Sequence, residues 1–95
     1  MNYRISADAE TDLLAIWGYT AKTWSEVQAD LYIDAFLVRF AWLTKNKGLW
    51  TTRPEIGEGL YSYLEKSHVI IFREKNHSLE IFRILHSRMD LKKHI

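Results

Sequence analysis

Two stretches in the second half of the chain, HVIIFR (His68–Arg73) and LEIFRIL (Leu79–Leu85), are apolar at successive positions rather than at alternate ones. Successive side chains on a strand point to opposite faces, so each of these strands presents apolar groups on both. Val69 and Ile71 are expected on one face and Ile70 and Phe72 on the other, while Ile81 and Leu85 oppose Phe82 and Ile84. A sheet built on them needs two covers, and the rest of the sequence has to supply them.

One cover is legible upstream. Ser6 fits a helix N-cap, with Asp8 and Glu10 placed where the helix dipole favours negative charge. Ala9, Leu13, Ile16, Trp17 and Thr20 then recur at helical spacing. The KTW at 22–24 ends this helix, and Ser25-Glu-Val-Gln28 is a capping box that starts the next. Ala29, Tyr32, Ile33, Phe36, Phe40 and Leu43 form the apolar stripe of that second helix, which should stop near Lys47-Gly48 with the glycine in a left-handed C′ position. The two make an αα-hairpin.

The second cover is not assigned by the sequence. Asn2–Ile5 reads as a short strand, at the sheet edge or paired with a partner. The stretch from Lys47 to Gly59, with Gly48, Pro54, Gly57 and Gly59, reads as an ordered loop. Strands at about Leu60–Glu65, His68–Arg73 and Leu79–Leu85 follow, the last two joined by the polar turn EKNHS. The order β-α-α-β-β-β predicts an α+β fold: an N-terminal strand, an αα-hairpin and an antiparallel three-stranded sheet, in one domain over residues 1–95. Either strand curvature and the long loop bury the second face, or another chain does, since large exposed apolar patches mark interfaces.

Composition narrows the chemistry. The chain has no cysteine, so disulfides and thiolate metal sites are excluded. No apolar run reaches the roughly 18 residues of a membrane span, and MNYRISADAE lacks a signal-peptide pattern, so a cytoplasmic protein without membrane contact is expected. The net charge of +1 conceals an asymmetry: residues 1–44 carry three basic and six acidic groups, residues 45–95 ten and six, with all four histidines in the second part. That bias suits an acidic partner, but a dedicated nucleic-acid domain is more basic, so direct nucleic-acid binding is not expected.

The chemical markers gather at the end of the last strand. His86 and Arg88 follow it, and Arg73 and Arg83 lie within the two central strands. Such a set can hold phosphate or supply a general acid; equally, each arginine can pair with Glu74, Glu80 or Asp90 and serve structure. His68 and His77 show no metal-ligand spacing, and neither a phosphate loop nor a nucleophile elbow is present. Trp24, Trp42 and Trp50 could stack on bases, although hairpin packing accounts for them equally well.

The opening YRISADAETDLLAIWGYTAKTWSEVQADLYIDAF resembles that of ParE-type toxins of bacterial toxin–antitoxin modules, within the RelE/ParE superfamily. The matching residues are Ser6, Ala9, Asp12, Leu13, Ile16, Tyr19, Trp24, Gln28, Ala29 and Tyr32. RPEIGEGLYSY (Arg53–Tyr63), SHVIIFR and IFRILHSRMD are similar to later family elements. The resemblance implies a toxin of the plasmid-stabilisation type that poisons DNA gyrase and blocks replication, neutralised by a ParD-like antitoxin whose flexible tail wraps the toxin. It also offers a second cover: antitoxin-binding residues Ile70, Phe72, Arg73, Phe82, Arg83, Ile84 and Arg88, with apolar antitoxin side chains over the face and acidic ones toward the arginines. RelE-type members instead cut messenger RNA in the ribosome, with an arginine on the scissile phosphate; the corresponding position here is Val69, which cannot neutralise a phosphate. No catalytic residue, metal or cofactor is therefore expected. Only a RelE-like endonuclease would use His86, Arg88, Arg83 and Arg73, and a non-toxic protein-binding module is the remaining alternative.

Overall fold

A computed structural model describes residues 1–95. Strand β1 (Tyr3–Ile5) leads into helices α1 (Ala7–Thr23) and α2 (Glu26–Lys45); β2 (Thr51–Thr52), β3 (Tyr61–Glu65), β4 (His68–Lys75) and β5 (Ser78–His86) follow. The sheet order is β1-β5-β4-β3-β2, with β1 parallel to β5 and every other pairing antiparallel. The expected α+β architecture is thus present, with β2 as an additional short edge strand inside the expected loop. No helix is long and apolar enough to cross a membrane.

Local chemistry sets the boundaries. Ser6 Oγ accepts the Ala9 N–H at 3.0 Å and Ser25 Oγ accepts that of Gln28 at 3.0 Å, so both caps form as the sequence predicts. The end of α2 differs: the Asn46 amide donates to the Trp42 carbonyl at 2.8 Å and the Trp50 indole to that of Leu43 at 2.9 Å. Side chains thus satisfy the last carbonyls, and Gly48 adopts no positive φ. The β4–β5 turn is two residues, Asn76 (φ 53°) and His77 (φ 61°), both left-handed as a type I′ hairpin requires.

The apolar strands do have two covers, both from this chain. Under the helices, Ala9, Leu13, Phe36, Phe40 and Leu43 pack on Ile70, Phe72, Leu79, Ile81 and Ile84. On the opposite face Val69, Ile71 and Leu85 pack with Leu60, beneath Ile56, Phe82 and Leu91, the last from a short 3-10 turn at Leu91–His94. The loop lies close: a Cβ on Gly57 would come within 2.8 Å of Leu60 Cδ1, so a larger residue there displaces the side chain that fills this cluster.

This arrangement corrects the facing expected for β5. Phe72 pairs with Ile81 but Ile71 with Arg83, leaving Phe82 as the extra residue of a β-bulge. The bulge shifts the alternation by one residue, so Ile81 and Ile84 share the helix-covered face while Phe82 and Leu85 share the other. Ile70, Phe72 and Ile84 are accordingly 0%, 0% and 2% exposed beneath α1 and α2 and do not belong to one open face with Phe82.

Candidate functional site

Strand β1 pairs with β5 only as far as Ile81, so the rest of β5 is an edge without a neighbouring strand. Helix α1 fills that role with side chains. Ser6 Oγ donates to the Phe82 carbonyl at 2.8 Å, and Asp12 Oδ2 accepts the Ile84 N–H at 2.9 Å. Asp12 also takes both forks of Arg83, Nε at 2.8 Å and Nη2 at 3.0 Å, with only 13% of its side chain exposed. The hydrogen bond to Asp12 holds the Arg83 guanidinium above its already high pKa. A further Arg83 N–H reaches the His94 carbonyl and ties down the chain end.

Beyond this clasp the helices and the sheet part. They leave an open cleft of about 1030 Å³, lined by α1, the start of α2, the β3–β4 turn and the end of β5. Ile16, Tyr19, Trp24, Ile84 and Met89 give it an apolar wall; Lys66, His68, His86 and Arg83 add polar groups.

The histidines meet through the strand register. Because the Ile84 N–H turns outward to Asp12, Ile70 and Ile84 form a non-hydrogen-bonded pair, and so do His68 and His86 two residues along. Side chains come closest at such positions, and the two rings stand 5.3 Å apart, edge to face. Tyr32 of α2 places its hydroxyl 3.1 Å from His68 Nδ1, and the Arg88 N–H donates to His86 Nδ1 at 3.1 Å. Lys66, left-handed at φ 54° in the β3–β4 turn, holds its ammonium 5.2 Å from the Tyr32 ring. A non-glycine residue there costs about 1–2 kcal/mol.

Burial, and secondarily the neighbouring His86, hold the His68 pKa below its ordinary value. Burial, with help from the Glu65 carboxylate, raises that of Tyr32. A histidine whose folded pKa is depressed disfavours the fold once the unfolded chain begins to protonate. Its contribution is therefore complete above about pH 6.5 and is lost as pH falls through that value toward the folded pKa. Urea unfolding at descending pH should show this loss, and His68→Gln should flatten it; an unchanged slope in the variant would remove His68 as its source.

The residues expected to act together separate into three groups. Arg83 lines the cleft, and Arg88 is exposed beside His86. Arg73 lies on the other sheet face, 2.7 Å from Glu80 and 5.4 Å from the Phe82 ring, while Ile70, Phe72 and Ile84 are core. Trp42 packs tilted against Tyr63, and Trp50 against Tyr61 and edge-on to Phe72, in line with a packing role, whereas Trp24 is 75% exposed at the cleft. Sequence reasoning missed that Asp12, Tyr32, Lys66 and His68 line one cleft with His86. Counting back from the turn pairs His68 with Leu85; only the bulge at Phe82 brings His86 opposite it.

Comparison with known proteins agrees with this architecture. The family described as the ParE toxin of the type II toxin–antitoxin system, parDE, matches residues 3–91. Toxin ParE1 of Caulobacter vibrioides is 28% identical over 93 residues, 98% of this chain and 96% of that protein. A solved structure, the chromosomal ParDE TA system from P. aeruginosa, superposes with a TM-score of 0.78 at 22% identity, covering 90% of this chain and 95% of that one, a likeness of fold. With a match that spans nearly the whole sheet and both helices, the chain belongs to the ParE toxin family of type II toxin–antitoxin systems.

Proposed function

We propose that this toxin poisons DNA gyrase and is neutralised by a ParD-like antitoxin whose tail enters the cleft between the helical hairpin and the end of β5. The observation that carries the choice of target is Val69. It stands where an RNA-cleaving relative would place its phosphate-binding arginine, and it is 8% exposed among Leu60, Ile71 and Leu85. A buried aliphatic group supplies no charge to a cleavage transition state. For the antitoxin, the reading rests on the apolar wall of the cleft and on Arg88 at its margin. Arg83 contributes at the cleft as well, while Arg73 and Phe82 would serve only a tail that continues around the far face.

Induction of the chain alone should arrest growth with filamentation and the DNA-damage response switched on. The purified protein should inhibit gyrase supercoiling or trap cleaved DNA. RNA cleavage is the second reading, favoured by the two facing imidazoles. It would appear as codon-positioned cuts in ribosome-bound messages, with gyrase unaffected and cleavage reduced about 10²–10⁴-fold by His86→Gln. That result would reverse the assignment.

A further inference from the structure

Two imidazoles and one ammonium share the cleft, and the neighbours of each ring decide where its proton sits. Because the Arg88 N–H donates to His86 Nδ1, that nitrogen is an acceptor and the ring proton of neutral His86 is on Nε2. His68 Nδ1 likewise accepts from the Tyr32 hydroxyl when the phenol donates, which leaves an N–H on its Nε2. Neither Nε2 has a partner within the protein. Since no buried side-chain nitrogen or oxygen lacks one, both are open to solvent. Lys66 forms no ion pair and only leans on the Tyr32 ring, whereas Arg83 is already committed to Asp12. Three hydrogen-bond donors therefore line one cleft with no acceptor among them.

We propose that Lys66, His68 and His86 form a carboxylate-binding subsite that takes an Asp or Glu side chain of an otherwise apolar peptide segment. The inference rests on the reading that a partner's tail enters this cleft, and it names the group that fixes the tail in register. An acidic peptide fits better than nucleic acid. A phosphate backbone is held by several unpaired cations, and here Lys66 is the only one lining the cleft, beside an apolar wall suited to side chains. One carboxylate needs no more than one ammonium and two N–H donors.

The subsite has a proton signature. The charged and titratable groups around the pair are Tyr32 from α2, Glu65 of β3 held by Arg39, Lys66 in the turn, Asp12 of α1 held by Arg83, and Arg88 beyond β5. None of the carboxylates among them is free, so nothing counters the burial that lowers the His68 pKa. A bound carboxylate reverses this: it favours the imidazolium, the complex takes up a proton, and binding tightens as pH falls.

The test uses the full chain and a short capped peptide of leucine, alanine and glutamate, its glutamine twin, and a single-stranded oligouridine. Ring signals of both histidines are followed by NMR. The glutamate peptide should move them and raise the titration midpoint of His68, and should bind about tenfold tighter at about pH 6.0 than at about pH 7.5. The glutamine twin should show no such gain, and His68→Gln/His86→Gln should abolish the pH dependence while the unfolding transition confirms a folded variant. Equal binding of both peptides, or ring shifts with oligouridine alone, would overturn the subsite. Because none of these readouts involves gyrase or growth, a failed gyrase assay and a failed subsite are told apart.

Discussion

Asp12→Ala is expected to lower the unfolding free energy by about 2–4 kcal/mol, near or just below the range for breaking one side of a buried ion pair. The carboxylate serves three donors at once: two guanidinium nitrogens of Arg83 and the backbone N–H of Ile84. Its removal leaves a cation with 22% exposure, held only by the neutral His94 carbonyl, and an N–H at a strand edge without its partner. Urea unfolding followed by tryptophan fluorescence should give a lower midpoint with an unchanged slope. Arg83→Met in the same background should recover part of the loss by taking away the orphaned charge. If the double variant is no more stable than Asp12→Ala alone, the capping of β5 rather than the ion pair carries the effect.

Phe40→Ala should cost more, about 3–5 kcal/mol, because transfer and cavity contributions add for a fully buried aromatic. Phe40 has 0% exposure and meets the edge of Tyr3 at 5.6 Å and Phe36 at 6.3 Å, so one ring joins α2, β1 and the core. Val38 on the same helix is 70% exposed, and Val38→Ala should stay within about 0.5 kcal/mol. Similar midpoints for the two variants would mean that the helical hairpin is not held by this core stripe.

Much of the fold was legible because its signals are local. Ser6 and Ser25 cap helices through atoms three residues away, and the hairpin turn is written in Asn76 and His77. The two-sided strands correctly demanded two covers, but the loop carrying Ile56 and Leu60 supplies the second, where a partner chain was the alternative. Arg73 found Glu80, one of its anticipated partners, from the adjacent strand. Arg83 instead reached across to Asp12, and no spacing rule joins residues 71 apart in sequence. The cleft was illegible for the same reason: Tyr32, His68 and His86 belong to different elements and meet only after the sheet has chosen its register.

That register has a consequence for length variation in the family. With Phe82 removed, Ile81 would still face Phe72 and Arg83 would still face Ile71, so every side chain of β5 would keep its side. Deleting Arg83 instead would also keep the alternation but would lose the pair with Asp12, whereas a gap elsewhere in the strand would invert whatever lies between it and the bulge, sending core groups to solvent. A chain one residue shorter in this hairpin would therefore carry its gap at the bulge, at Phe82 or Arg83, just before the histidine that lines the cleft.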